Sequence, residues 1–295
     1  MNPDEALSPM PASLNRRELL TAAAGVASLG AADLTLAQNG TMPSSSRELW
    51  GWVKTQPVLE TQIAYLDAAS VGPTLRAAMA AEYRARDAQS FSLATTSAAG
   101  YWSTETNRLA TRIATFIGCD ADELLFTRGA GEALSTVAAG LDLNAGDEVI
   151  TTSREHPAAL TPWLVLARRR GIVVKQVNLP APLTGPEQAL GLFAGAVTDK
   201  TKVLAFSHVQ YADGALMPVA ELCQFARQRN LVTVVDGAQA MGMLDYQIRD
   251  MGCDFYATSF HKWLGGPQGT GALFVRREML DRLWPVEPRG LDASP

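Results

Sequence analysis

Seven short runs dense in β-branched and aromatic residues punctuate the chain between Glu123 and Arg277, and helix-patterned segments separate several of them. The runs read ELLFTRG, DEVITTS, IVVKQVNL, KVLAFSHV, LVTVVDGA, DFYATSF and GALFVRR. Most are continuously apolar rather than alternating, the pattern of a strand buried on both faces. GEALSTVAAGL, LTPWLVLARRRG and VAELCQFARQRN carry apolar residues at three- and four-residue spacing, as do TLRAAMAAEYRARDAQSF and TETNRLATRIATFIGC upstream. Strands alternating with helices predict an α/β fold, a mainly parallel seven-stranded sheet covered by helices on both faces. NLPAPLTGPEQ is the most loop-like stretch and reads as a connection.

Parallel sheets of this kind collect ligands at the carboxyl ends of their strands, so the residues just after each run are the ones that matter. They are Gly129-Ala130-Gly131-Glu132, Glu155-His156-Pro157, His208-Val209-Gln210, Asp236-Gly237-Ala238-Gln239 and Ser259-Phe260-His261-Lys262. All 3 histidines of the chain fall in this set.

Lys262 follows a strand and a histidine and precedes the glycines of LGGPQGTG. An amine that forms a Schiff base must be partly desolvated, or lie near other cations, to shed its proton. A solvated lysine at a strand exit is the plainer alternative. Asp236 ends an apolar strand, where a carboxylate is costly unless something positive meets it. A pyridinium nitrogen is such a partner, and a lysine with an acidic ring-nitrogen partner is the recurring arrangement for pyridoxal phosphate. An N-cap for a following helix is the other reading of Asp236. FTRGAGEAL runs from strand to helix through small residues, which exposes backbone N–H groups at a positive helix end. A tight turn that needs glycine explains the same letters. Ser259 and His261 add side-chain donors for a phosphate. His156 offers an imidazole to stack on a ring, Gln239 a donor for a ring hydroxyl, and His208 a place on the far wall.

Six stretches, in order and spacing, resemble the class V aminotransferases: YLDAASVGPTLRA, FTRGAGEAL, GDEVITTSREHPAALTPW, SHVQYADGALMPV, VVDGAQAMG and CDFYATSFHKWLGGPQGTGALFVRRE. That family holds cysteine desulfurases and isopenicillin-N-epimerase-like proteins, and its fold is the pyridoxal-phosphate fold-type-I large domain. The resemblance implies pyridoxal 5'-phosphate as cofactor and an amino acid as substrate, handled by aminotransferase, lyase or epimerase chemistry. It implies Lys262 as the Schiff-base lysine, Asp236 as the ring-nitrogen partner, and His156 on the ring, these three being the catalytic set. It places Gln239 near the ring oxygen, and Ala130, Gly131, Ser259 and His261 around the phosphate. A homodimer is implied too. Desulfurases usually carry threonines at Ala130 and Gly131 and asparagine at Tyr211, so the chain departs from them there. Family members continue past the point matching Pro295 into a small C-terminal domain, so the expectation is a chain lacking that domain. The alternative function is then a truncated cofactor-binding protein without turnover.

NRRELLTAAAGVASLGAADLTLAQ, with Arg16 and Arg17 ahead of an alanine-rich stretch, resembles a twin-arginine export signal over about residues 1–37 and implies a periplasmic protein. An amphipathic helix of a cytoplasmic chain is the alternative. Residues 38–70 then lead into the fold, and 71–295 form the cofactor-binding domain. Asp33 interrupts a stretch already too short to span a bilayer, so no stable membrane insertion is expected. A net charge of −5 gives no reason to expect nucleic acid as a partner. Cys119, Cys223 and Cys253 are too scattered for a disulfide framework or a zinc site and read as small apolar side chains.

Overall fold

The computed structural model describes residues 45–60, 62–91 and 101–286. The segment read as an export signal and the tail after Val286 lie outside the described residues. Residues 1–56 and 57–295 form two compact units. The described part of the first is helix α1, Ser46–Val53. There Ser45 Oγ donates to Glu48 at 2.7 Å across the first turn.

The second unit opens with α2 (Arg76–Phe91) and α3 (Tyr101–Ile117), and then alternates strand and helix. The order is β1 (Leu124–Thr127), α4 (Ala130–Gly140), β2 (Glu148–Thr152), α5 (Pro157–Arg170), β3 (Val173–Val177), α6 (Pro186–Ala196), β4 (Thr201–Ser207) and α7 (Val219–Arg227). It ends with β5 (Val232–Asp236), α8 (Ile248–Met251), β6 (Phe255–Ser259) and β7 (Gly271–Val275). All seven expected runs are strands of one seven-stranded sheet, ordered β1-β7-β6-β5-β4-β2-β3. β2, β3, β4, β5 and β6 pair in parallel, whereas β7 runs antiparallel to both β1 and β6.

The apolar runs are continuous because consecutive side chains enter different cores. Side chains alternate across a strand. In β4, Val203 and Ala205 pack with Ala133 and Val137 of α4 and Trp163 of α5. Leu204 and Phe206 pack instead with Ile117 of α3, Phe193 of α6 and Leu222 of α7. Each of these side chains is fully or almost fully buried, and burying one stabilises the fold by about 1.5–3 kcal/mol. The sheet is thus covered on both faces.

The loop-like stretch gives way to a helix that its composition hides. Gly185 caps α6 with Pro186 in the first turn, and Ala189 and Phe193 bury their side chains. Proline in the first turn is compatible with a helix, because the N–H it lacks has no intrahelical partner there.

Candidate active site

The ends of β2, β4, β5 and β6 and the start of α4 border one cavity of about 1370 Å³. Ala130, Gly131, His156, Asp236, Gln239, Ser259, His261 and Lys262 all line it. Between β2 and β4 the connections depart in opposite directions, β2 to β3 and β4 to β5. Such a reversal opens a crevice beyond the strand ends.

Lys262 sits in a loop folded on itself after β6. Phe260 N–H donates to the Thr270 carbonyl at 3.0 Å, Gly266 N–H to Phe260 at 2.8 Å and Gly265 N–H to Lys262 at 3.1 Å. A distant segment braces this loop: Gly72 N–H donates to the His261 carbonyl at 2.7 Å and Leu75 N–H to the Gly265 carbonyl at 3.0 Å. The approach is so close that a Cβ on Gly72 would lie 1.6 Å from the Lys262 carbonyl oxygen. The amine of Lys262 is half-buried, and burial pulls its pKa below the ordinary lysine value while the Asp236 charge opposes the shift. A solvated surface lysine has neither feature.

Asp236, at the end of β5, is 7% exposed. Burial raises its pKa against the Ala238 hydrogen bond and the Lys262 charge. No helix follows it. Residues 238–240 form a turn, and Oδ1 accepts the Ala238 N–H at 2.9 Å. A buried carboxylate with one backbone donor calls for a cationic partner, and a protonated ring nitrogen meets that need.

At the start of α4, Gly129 takes φ 153°, a conformation open to glycine and costly for other residues. The Ala130 N–H donates to Ser259 Oγ at 3.0 Å, and helix geometry leaves the N–H groups of Gly131 and Glu132 without intrahelical acceptors. His261 stands beside them, its Cε1 3.4 Å from where a Gly129 Cβ would be. Its Nδ1 is 3.4 Å from the Thr270 carbonyl. These donors suit a phosphate.

His156 caps α5, its Nδ1 accepting the Ala158 N–H at 3.1 Å, which puts the ring proton of the neutral imidazole on Nε2. Burial, followed by the Lys262 charge, lowers its pKa. Tyr211 meets it at 86° with ring centroids 5.1 Å apart. Gln239 is already engaged: its Nε2 donates to the Ala69 carbonyl at 3.0 Å and its Oε1 accepts from the Trp263 indole at 2.7 Å. One amide proton stays available to a ring oxygen.

The placement of His208 on the far wall is corrected. Ser207 and Val209 line the cavity and His208 does not. Alternation at the strand exit turns it into the opposite layer, between the Tyr246 and Tyr256 rings, with Nδ1 2.9 Å from the Tyr256 hydroxyl. Burial pushes its pKa down to about 4 from 6.5. A depressed histidine pKa means that the unfolded chain takes up its proton first on acidification. His208 therefore supports stability above pH 6.5 and loses that support as pH falls toward 4. Equilibrium urea unfolding at stepped pH is expected to show a decline in that window, at most about 1.4 kcal/mol per pH unit. His208→Gln should flatten it.

Glu155 stands in the strand-end set read from the sequence but was given no role there. It is 6% exposed, outside the cavity lining, and accepts hydrogen bonds from Thr152, Ser207 and Gln210. A glutamate next to a histidine at a strand end is the signal that was there to read. The three cysteines are buried, and burial pushes the Cys119 and Cys223 thiols up to about 12 and raises Cys253 well above its ordinary value. Among the described residues no group of three His, Cys, Asp or Glu is arranged to hold a metal, and no helix is long and apolar enough to cross a membrane.

Known proteins resemble this chain in sequence and in fold. An isopenicillin N epimerase of Amycolatopsis lactamdurans is 37% identical over 165 residues, 55% of this chain and 42% of that protein. A probable cysteine desulfurase of Pseudomonas aeruginosa is 42% identical over 164 residues, 55% of this chain and 40% of that protein. The chain thus spans less than half the length of either relative. The solved structure of the cystine C-S lyase C-DES with its product cysteine persulfide superposes with a TM-score of 0.71 at 26% identity, over 75% of this chain and 59% of that one. The family model described as aminotransferase class-V matches residues 64–292, a span that takes in the whole sheet and every residue placed around the cavity, and the chain belongs to that family.

Proposed function

We propose that this chain is a pyridoxal-phosphate-dependent enzyme that acts on an amino acid at Lys262. The observation that carries the reading is one cavity holding an amine depressed by burial, a buried carboxylate with one backbone donor, and a helix start whose first N–H groups lack intrahelical acceptors. The residues fit the group. Ser259, His261 and the first turn of α4 are its phosphate donors, Asp236 its ring-nitrogen partner, Gln239 its ring-oxygen donor and His156 its ring neighbour. When bound, pyridoxal phosphate supplies an electron sink for the bonds at the substrate α-carbon. Burial lowers the pKa of Lys262 and so favours its neutral amine; Nζ would hold the cofactor and, once displaced by the substrate's amine, would take the proton at the substrate Cα. His156, neutral and held at Nδ1 by Ala158, presents its Nε2–H side to the cavity without adding a positive charge.

Transfer, lyase and epimerase chemistry all begin with a bond broken at the α-carbon, and the relatives include an epimerase and a desulfurase. Buried thiols with raised pKa values are poor nucleophiles, so Cys119, Cys223 and Cys253 are not the source of desulfurase activity.

The test is the absorbance spectrum of the purified chain with added pyridoxal phosphate, followed by borohydride reduction and peptide mapping. A visible band, with the label on Lys262 and changes on adding an amino acid, is the expected result. A band that no amino acid alters leaves a cofactor-binding protein without turnover. Label spread over surface lysines refutes the reading.

The same proposal includes a homodimer, checked by light scattering. It also includes export directed by the paired arginines Arg16 and Arg17, checked by cell fractionation.

A further inference from the structure

The backbone ladder between β2 and β4 is short. Glu148 pairs with Thr201, Val149 with Val203 and Ile150 with Leu204, and there it ends, although β2 continues to Thr152 and β4 to Ser207. The strands part where the crevice opens. Three side-chain ties bridge the gap. His156 and Tyr211 meet ring to ring at 5.1 Å. Arg154 pairs with Asp213, both partly exposed. The buried tie is Glu155. Oε1 accepts from Thr152 Oγ1 at 2.6 Å and from Gln210 Nε2 at 3.2 Å, and Oε2 accepts from Ser207 Oγ at 2.5 Å. The buried Oε1 of Gln210 has no hydrogen-bond partner among the described residues, so Glu155 is the bond that orients this amide.

We infer that Glu155 is a positioning residue: its carboxylate, shared by the ends of β2 and β4, sets the width of the crevice and so holds His156 on one lip and Tyr211 on the other. The inference that this matters for a bound cofactor rests on the function proposed above. The physical case is that of a multiply hydrogen-bonded carboxylate. Three donors converge on two oxygens, and bonds to a charged acceptor are about twice as strong as neutral ones. Burial raises the pKa of Glu155, and the nearby Asp236 charge adds to the shift, while the Ser207, Thr152 and Gln210 donors oppose it. An amide in its place keeps an acceptor at Oε1 alone, forces Ser207 Oγ to turn from donor to acceptor, and removes the charge that strengthens all three bonds.

The test uses Glu155→Gln and hydrogen exchange on the cofactor-free protein. Amides in 152–158 and 207–213 are expected to exchange at least about tenfold faster, while those of α7 and β7 keep their rates. Unchanged exchange in both segments overturns the inference. So does acceleration spread evenly over all elements, since that marks lost stability rather than lost positioning. If Glu155→Gln does not fold, Ser207→Ala removes the bond from the end of β4 to Oε2, leaves that from Gln210, and is read by the same criteria. A second measurement is the visible circular dichroism of added pyridoxal phosphate, which reports how the ring is held. Glu155→Gln should lose most of its amplitude and bind the cofactor at least about tenfold more weakly. If the unsubstituted chain gives no visible band, the function proposed above fails, and the exchange rates still decide the role of Glu155.

Discussion

Lys262→Ala is expected to abolish the visible band of bound pyridoxal phosphate and to lower amino-acid turnover by about 10²–10⁴-fold, the usual worth of a positioned proton-transfer group. Two roles are lost together, covalent attachment and the proton transfer at the substrate Cα. A third effect follows from the electrostatics. Lys262 is the cation whose charge lowers the Asp236 pKa against burial, so without it the carboxylate is driven further toward its neutral form. Cofactor affinity should therefore fall along with turnover. Small amines such as ethylamine, added at high concentration, are expected to restore part of the proton transfer without restoring attachment at residue 262. A variant that keeps the band and the label elsewhere would falsify the assignment of the lysine.

Gly72→Ala is expected to cost at least about a hundredfold in turnover, through a residue that carries no side chain and lies outside the cavity lining. The added Cβ would lie 1.6 Å from the Lys262 carbonyl oxygen and 2.5 Å from its carbonyl carbon. Backbone atoms are not free to swing aside, so the loop bearing the lysine must move bodily by an ångström or more. Displacements of that size cost about 10²-fold when they misplace a reacting group. The overpacking itself should destabilise the fold by about 1–3 kcal/mol. The two effects separate in a thermal melt read beside the cofactor spectrum. A folded Gly72→Ala protein with a wild-type band and full turnover would show that the brace does not place the lysine.

How far these features were legible from the letters depends on the range of the interaction. The strands were readable because both faces of the sheet are covered, which makes the central runs apolar throughout, while the edge strands β1 and β3 are only partly buried. β7 was readable as a strand but not as an antiparallel one, since direction depends on neighbours far along the chain. The α6 helix was hidden because Pro186 and the small residues that follow resemble the loop before them, and only the burial of Ala189 and Phe193 explains why the segment is helical. At the site, the residues that follow β5 and β6 directly were visible from their position alone. His208 went astray by one step of the pleat, which sends adjacent side chains to opposite faces. Gln239 was seen as a donor, whereas its bonds to Ala69 and Trp263 are long-range and invisible in VVDGAQA. The brace from Gly72 and the shared carboxylate of Glu155 belong to the same class, set by tertiary approach and not by local pattern.

The place of β7 bears on how the protein is made. Leu124 of β1 pairs with Phe274 of β7, and Ser259 of β6 pairs with Gly271. A Cβ on Gly271 would come within 2.6 Å of the Gly129 Cα, so this strand holds the Gly129 turn against β6. A nascent chain that has left the ribosome only as far as Ser259 has β1 and β6 with nothing between them, two open edges of the kind that invite wrong pairing. Ala130 N–H and Ser259 Oγ meet only after β7 takes its antiparallel place between β1 and β6. The cavity beside the Gly129 turn is therefore assembled only once the chain is complete through Val275.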